Sequence, residues 1–197
     1  QARVSNTDNQ ANQQIAGLLN YCMREGHVSP FEMASVCLEV NTTRDIARQI
    51  LRHRSFSFQE FSQRYQDATK LGDMVERECR LQDTKNRQNS LECDDRDLSE
   101  AWTHVQRTAA RDALSAYAWA LGQGIAKEQA RALLPEGLTP SRLYMNGTMR
   151  SWIFYLKQRL GPSTQKEHRL VAEEALAVLR TVAPVTMSAF FPNESNQ

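Results

Sequence analysis

Apolar residues recur at helical spacing at Ile15, Leu18, Leu19, Cys22 and Met23, which predicts an amphipathic helix stopping near Gly26. Strict alternation follows. Ala34, Val36, Leu38 and Val40 alternate with Ser35, Cys37, Glu39 and Asn41, the pattern of a half-buried strand. His27 to Glu32 joins the two, and Pro30 disfavours a helical backbone at Ser29, so this link is predicted to be extended. Asn41, Thr42 and Thr43 offer N-caps for a helix running to about Arg52, with Ile46, Ala47, Ile50 and Leu51 facing inward. Gln49 and Arg52 lie three apart and share a face of that helix.

Phe56, Phe58 and Gln59 read as an irregular or extended segment, and Phe56, Phe58 and Phe61 as core or wall residues. Residues 67–95 are polar and mixed in charge, a long excursion of the kind that is functional or partly disordered. Trp102, Val105, Ala109, Ala113, Ala116, Tyr117 and Ala120 mark a long helix stopped near Gly122 and Gly124. Its alanines permit close approach to another helix, in this chain or in a partner. A short helix over 127–134 carries Arg131 and ends at Pro135, and 141–145 suits a strand. Met149, Trp152, Ile153, Leu156 and Leu160 form a helical stripe, with Arg150 and Arg159 off it. Leu170, Ala172, Ala175, Leu176 and Leu179 give a last long helix before a mixed tail. The sum is an α+β fold, a helix-rich single domain over 1–197 around a small, mostly antiparallel sheet.

Composition narrows the classes. A chain of 197 residues with 41% hydrophobic and 24% charged residues fits one soluble globular domain. A formal net charge of +1 gives no global pull toward nucleic acid or membrane, so any anion site must be local. No apolar run approaches the ~20 residues of a spanning helix, and no signal-peptide pattern opens the chain. The cysteines at 22, 37, 79 and 93 form no CxxC pair and lack histidines at metal-ligand spacing, so no metal site is expected. Cys22 and Cys37 sit in apolar-periodic segments and are expected to be buried; the usage suits a reducing cytoplasm. The chain opens at Gln1, and a further N-terminal segment is expected before it.

The densest chemistry lies in Leu51 to Tyr65, LRHRSFSFQEFSQRY. Arg44 to Arg64 holds five arginines and a histidine against Asp45 and Glu60, a concentration of guanidinium forks suited to phosphate or another planar anion. GxGxxG and GxxxxGK[ST] loops are absent, and Gly122-Gln123-Gly124 is a helix cap. Ser62 as a nucleophile would need a base and a group orienting that base, so it reads better as a hydrogen-bond donor to an anion. Glu60 is expected either to orient Arg52 or Arg54 or to act on a proton. Arg52, Arg64, Arg131 and Arg159 each fall at a helix end or beyond an apolar stripe, from which they could meet in one cleft.

Arg52-His53-Arg54, seven residues, then Ser62 closely resembles the signature of the flavin-dependent thymidylate synthases. Ala2-Arg3-Val4-Ser5, His27 to Glu32, Lys85 to Asn89, Ala130 to Pro135 and Thr148 through Arg159 occur in that family's order, so the resemblance covers nearly the whole chain. It implies conversion of dUMP to dTMP, with NADPH reducing FAD and methylenetetrahydrofolate donating one carbon. Gln49, Arg52, Glu60, Ser62, Gln63, Arg64 and Arg131 match dUMP-binding positions, and Arg159 the catalytic arginine at the uracil ring. Ser29, Glu32, Arg52, His53, Arg54, Glu60, Thr148, Arg150 and Phe154 fall at FAD-binding positions. A homotetramer with sites shared between subunits is implied as well, in bacterial cytoplasm or, for a virus, that of the host.

The sequence departs from the family at Phe154, where many members have Asn, and near Ser163, where they have His. Phe154 cannot make the hydrogen bonds of Asn but can stack on a ring. Two alternatives stand beside the synthase reading: a flavin- and folate-dependent dUMP hydroxymethylase on the same scaffold, and an arginine-rich nucleic-acid module. The near-neutral charge and lack of an interleaved basic and aromatic surface argue against the module.

Overall fold

The computed structural model describes residues 2–192. In chain order the elements are α1 (Ala16–Arg24), a 3-10 turn (Ser29–Met33), β1 (Ser35–Thr43), α2 (Arg44–Ile50) and β2 (Phe56–Glu60). Another 3-10 turn (Ala68–Leu71) precedes β3 (Arg80–Gln82), β4 (Ser90–Glu92), α3 (Arg96–Gly122) and α4 (Lys127–Ala130). The chain continues through β5 (Pro140–Thr148), α5 (Met149–Arg159), α6 (Lys166–Val182) and α7 (Pro184–Phe190). Strands β1, β5 and β2 form a sheet in that order, and β3 pairs with β4 in an antiparallel hairpin. The helix-rich α+β class therefore holds. Among the described residues no helix is long and apolar enough to cross a membrane.

These elements divide into two compact units, one made of 2–38, 55–57 and 146–192, the other of 39–54 and 58–145. In the first, α5 buries Trp152, Ile153, Tyr155 and Leu156, while α6 and α7 bury Ala172, Leu179 and Met187. Phe56, Trp152 and Tyr155 meet edge to face, with ring centroids 4.9 Å apart for Phe56–Trp152 and 5.7 Å for Trp152–Tyr155. The indole N–H of Trp152 donates to the Val36 carbonyl at 3.0 Å, so burial costs it no hydrogen bond. Gly147 has to be small, because a Cβ there would overlap the Phe56 ring.

The second unit centres on Tyr117 and Ala120 of α3, packed with Ala68, Ala130 and Leu134. Asp95 caps α3, its carboxylate accepting the Leu98 N–H at 3.0 Å. Strand β1 runs straight into α2 at Thr43. The first N–H groups of α2 are taken by the Thr139 and Glu136 carbonyls, at 3.0 and 3.4 Å, which frees the Thr43 hydroxyl for Asp45. Arg77 joins this cluster, donating to Asp45 at 2.7 Å and to the Gly137 carbonyl at 3.1 Å.

Several expectations change. Ser29–Met33 is a 3-10 turn rather than an extended link, because Pro30 stands at its start, where a missing N–H loses nothing. Cys37 is exposed, since it shares the polar face of β1 with Ser35 and Glu39. The span 67–95 contains a 3-10 turn and the β3–β4 hairpin. On α3, Trp102 and Val105 are exposed and Trp119 is 62% exposed. On α6, Leu170 lies outside the buried row and His168 is in it; α7 follows within the expected tail.

Gly147→Ala is expected to destabilise the protein by about 1–3 kcal/mol, because the Phe56 ring sits in a packed aromatic cluster. Urea unfolding measures it as a lower midpoint; a midpoint equal to that of the unaltered protein would show that the ring yields without strain.

Candidate functional site

In the second unit the arginine-rich stretch begins on α2. Arg44 and Arg48, one turn apart, both face Glu60, at 3.8 and 3.4 Å, and both face Glu136, at 3.9 and 3.7 Å. Glu60 also accepts the Ser141 hydroxyl at 2.9 Å from the neighbouring strand β5. Arg44 is 7% exposed; burial lowers its pKa, and the Glu60 charge opposes that shift. The carboxylate expected to orient Arg52 or Arg54 is thus held by Arg44, Arg48 and Ser141. Arg52 and Arg54 lie beyond the end of α2, exposed, with side chains that engage no partner among the described residues. The Arg52 N–H donates to the Gln49 carbonyl at 3.4 Å and that of His53 to Ile50 at 3.0 Å, so the backbone turns on past α2.

Beyond β2 the chain folds over itself at Ser62, whose carbonyl accepts the N–H groups of Tyr65 and Gln66, each at 3.1 Å. Gln63 is 2% exposed, and its amide nitrogen has no hydrogen-bond partner among the described residues. Such a buried donor is rare in a native fold. Arg64 reaches across 64 positions of sequence to the Glu128 carboxylate at 3.3 Å, and Arg131 donates to the Glu128 carbonyl at 3.3 Å. Two arginines distant in sequence, both at positions that match dUMP-binding ones, therefore meet at one residue. Lys127 adds a third cation, donating to the Tyr65 carbonyl at 3.1 Å.

The first unit gathers the other group. Thr148 caps α5, its hydroxyl accepting the Ser151 N–H at 3.2 Å and donating to Glu32 at 2.9 Å. The second Glu32 oxygen accepts from Arg150 at 2.7 Å. The Arg150 guanidinium lies 5.2 Å from the centroid of Phe154, a ring 49% exposed. Glu32, Thr148, Arg150 and Phe154 thus form one contiguous face. Ser29 belongs to the same 3-10 turn as Glu32, three positions before it, but its side chain is not part of these contacts. Arg159 ends α5 one turn after buried Tyr155, whose hydroxyl lies 3.1 Å from Nε2 of fully buried His168. Burial pushes the Tyr155 phenol well up, and the Arg159 charge partly opposes it.

Arg44, Arg48, Ser141, Glu128 and Glu136 were not singled out in the sequence. The four-residue step from Arg44 through Arg48 to Arg52 was the readable sign of a shared basic face. The other three are joined to it only by contacts between distant segments.

Comparison with known proteins identifies the setting. Residues 1–185 match the family model described as thymidylate synthase complementing protein, Thy1. A flavin-dependent thymidylate synthase of Synechocystis is 48% identical over 191 residues, covering 95% of this chain and 85% of the relative. A protein of Paramecium bursaria Chlorella virus 1, named "Probable flavin-dependent thymidylate synthase", is 49% identical over 168 residues, covering 85% and 76%. Among solved structures, the UMP/dUMP methylase PolB of Streptomyces cacaoi bound with 5-Br dUMP superposes with a TM-score of 0.80 at 30% identity, covering 96% of this chain and 86% of that one.

Hydrogen bonds from Arg150 and then Thr148 hold the Glu32 carboxyl below the usual carboxylate range. Since the folded-state value is the depressed one, this pair supports the fold above the ordinary carboxylate pKa and ceases to as pH falls through the lowered value. A carbon-detected NMR titration is expected to show Glu32 titrating below the ordinary glutamate range, and Arg150→Ala to move it back up. No difference between the two proteins would remove the pairing.

Proposed function

The chain belongs to the thymidylate synthase complementing protein family, and on that footing we propose how its residues divide the methylation of dUMP. It is a flavin-dependent thymidylate synthase, replacing hydrogen at C5 of dUMP by a methyl group to give dTMP. The observation that carries the division of labour is the meeting of Arg64 and Arg131 at Glu128, which supplies two guanidinium forks to one dianion.

The nucleotide side comprises Gln49, Arg52, Glu60, Ser62, Gln63, Arg64 and Arg131. Ser62 donates its hydroxyl, and Gln63 offers a buried amide donor that an acceptor on the nucleotide would satisfy. Glu60, held by Arg44, Arg48 and Ser141, fixes the start of this loop. Arg159 is the catalytic residue: its guanidinium stabilises negative charge on the uracil ring and exchanges no proton in doing so.

The residues assigned to FAD suit it chemically. Arg150, held by Glu32, is a fixed cation for a phosphate, and its contact with Phe154 presents a flat surface for a ring. Ser29, Glu32, Arg52, His53, Arg54, Glu60, Thr148, Arg150 and Phe154 would hold the cofactor, which when bound supplies the hydride. The protein's part is to orient the reactants and exclude water. The proposal includes methylenetetrahydrofolate as carbon donor, NADPH as reductant, one cytoplasmic domain over 1–197, and a homotetramer with sites shared between subunits. Neither a metal nor nucleic acid takes part.

Purified protein is expected to be yellow and, with dUMP, methylenetetrahydrofolate and NADPH, to yield a product with the mass of dTMP. A product heavier by one oxygen would make it a hydroxymethylase, and colourless protein that FAD cannot reconstitute would overturn the reading. Arg159→Ala is expected to lower kcat by roughly a hundred-fold or more. Ser62→Ala is expected to raise KM for dUMP about ten-fold and leave measurable turnover. Complete loss of turnover at saturating dUMP would give Ser62 a direct chemical role.

A further inference from the structure

The β3–β4 hairpin pairs Arg80 with Glu92, Leu81 with Leu91 and Gln82 with Ser90. Extending this register by one residue sets Cys79 opposite Cys93 at the hairpin base. The Asp83 N–H donates to the Asn89 carbonyl at 3.4 Å, and in an antiparallel ladder hydrogen-bonded pairs recur at every second position. Counting back through Leu81 and Leu91, the cysteines occupy a hydrogen-bonded-type position. Cα atoms in such pairs lie about 5.5 Å apart, inside the ~4.4–6.8 Å span that a disulfide accepts. Both cysteines are free thiols and half-exposed, and the Cys93 thiol donates to the Asp95 carbonyl at 3.7 Å. Neither belongs to the proposed dUMP or flavin residues, so the inference stands apart from that reading.

We propose that Cys79 and Cys93 are a redox-reactive pair that closes into a reversible disulfide and staples the hairpin over 80–92. The oxidant is a small disulfide such as oxidised glutathione. One thiol loses its proton and attacks that disulfide, releasing one equivalent of glutathione thiolate and leaving a mixed disulfide. The other thiol, deprotonated, attacks the protein sulfur of that mixed disulfide and releases the second equivalent. In sum, two cysteine thiols give up two electrons and two protons, and oxidised glutathione becomes two molecules of thiol. Partial burial and the adjacent thiol raise the Cys79 pKa, so closure quickens as pH rises above neutrality. The bond would bracket the tip segment Lys85 to Asn89, whose turn is held by Asp83 accepting the Lys85 and Asn86 N–H groups at 2.8 and 3.1 Å.

The test equilibrates the whole protein with oxidised and reduced glutathione at a series of ratios, blocks remaining thiols and maps the peptides by mass spectrometry. A Cys79–Cys93 linked peptide, lighter by two hydrogen atoms and reversed by dithiothreitol, is the expected product. Buried Cys22 should stay a thiol, and exposed Cys37 should form at most a mixed disulfide. Cys79→Ser should leave Cys93 stopped at its mixed disulfide. In the oxidised protein, trypsin should cut after Lys85 and Arg87 about three-fold more slowly than in the reduced protein. Absence of the linked peptide at the most oxidising ratio would overturn the pair, and equal cutting rates would overturn the staple.

Discussion

The first turn of any helix carries N–H groups that no residue within the helix can satisfy, and this requirement shapes both halves of the protein. At Thr43 and Thr148 a strand passes into a helix with no intervening loop. The two junctions meet the requirement differently. Thr148 uses its own hydroxyl, which also donates to Glu32, so the cap of α5 and the anchoring of Arg150 are parts of one hydrogen-bonded group. At Thr43 the carbonyls of Glu136 and Thr139 do the capping, which releases the hydroxyl to Asp45 and Arg77. Position at the end of a strand is therefore coupled to the aim of charged groups several residues away.

Glutamates then govern where the arginines point. Glu32 takes Arg150, Glu60 takes Arg44 and Arg48, and Glu128 takes Arg64. Exposed pairs of this kind add little stability. Their effect is geometric, since a guanidinium held on one side keeps donors for a second acceptor. Arg44 is the exception in burial: it lies within the fold beside Glu60 and serves the architecture more than the surface.

Local pattern was enough to read β1, α1, α3, α5 and α6, because their apolar periods are long and unbroken. Glu32, Thr148, Arg150 and Phe154 stood out only through the family resemblance, and their convergence on one face required the fold. What could not be read depended on contacts between remote segments. Arg64 and Glu128, Ser141 and Glu60, and Arg77 and Asp45 are each brought together by tertiary structure alone. Cys37 is exposed for a local reason: strand parity, which puts it on the face of Ser35 and Glu39, outweighs the tendency of a thiol to be buried. At Pro30 the extended preference that proline imposes on the residue before it yields to position, because the first positions of a helical turn tolerate proline.

The distribution of the tryptophans gives each unit its own optical reporter. Trp152 is fully enclosed among Phe56 and Tyr155 in the unit of α5, whereas Trp102 and Trp119 stand at the surface of α3 in the other. An enclosed indole emits at shorter wavelength than a hydrated one, so emission from the folded protein is a composite of blue and red components. Loss of the blue component reports the melting of one unit, while quenching of the red component by a water-soluble iodide reports on the other. Whether the two halves come apart together or in sequence is thereby a question for tryptophan fluorescence with added iodide.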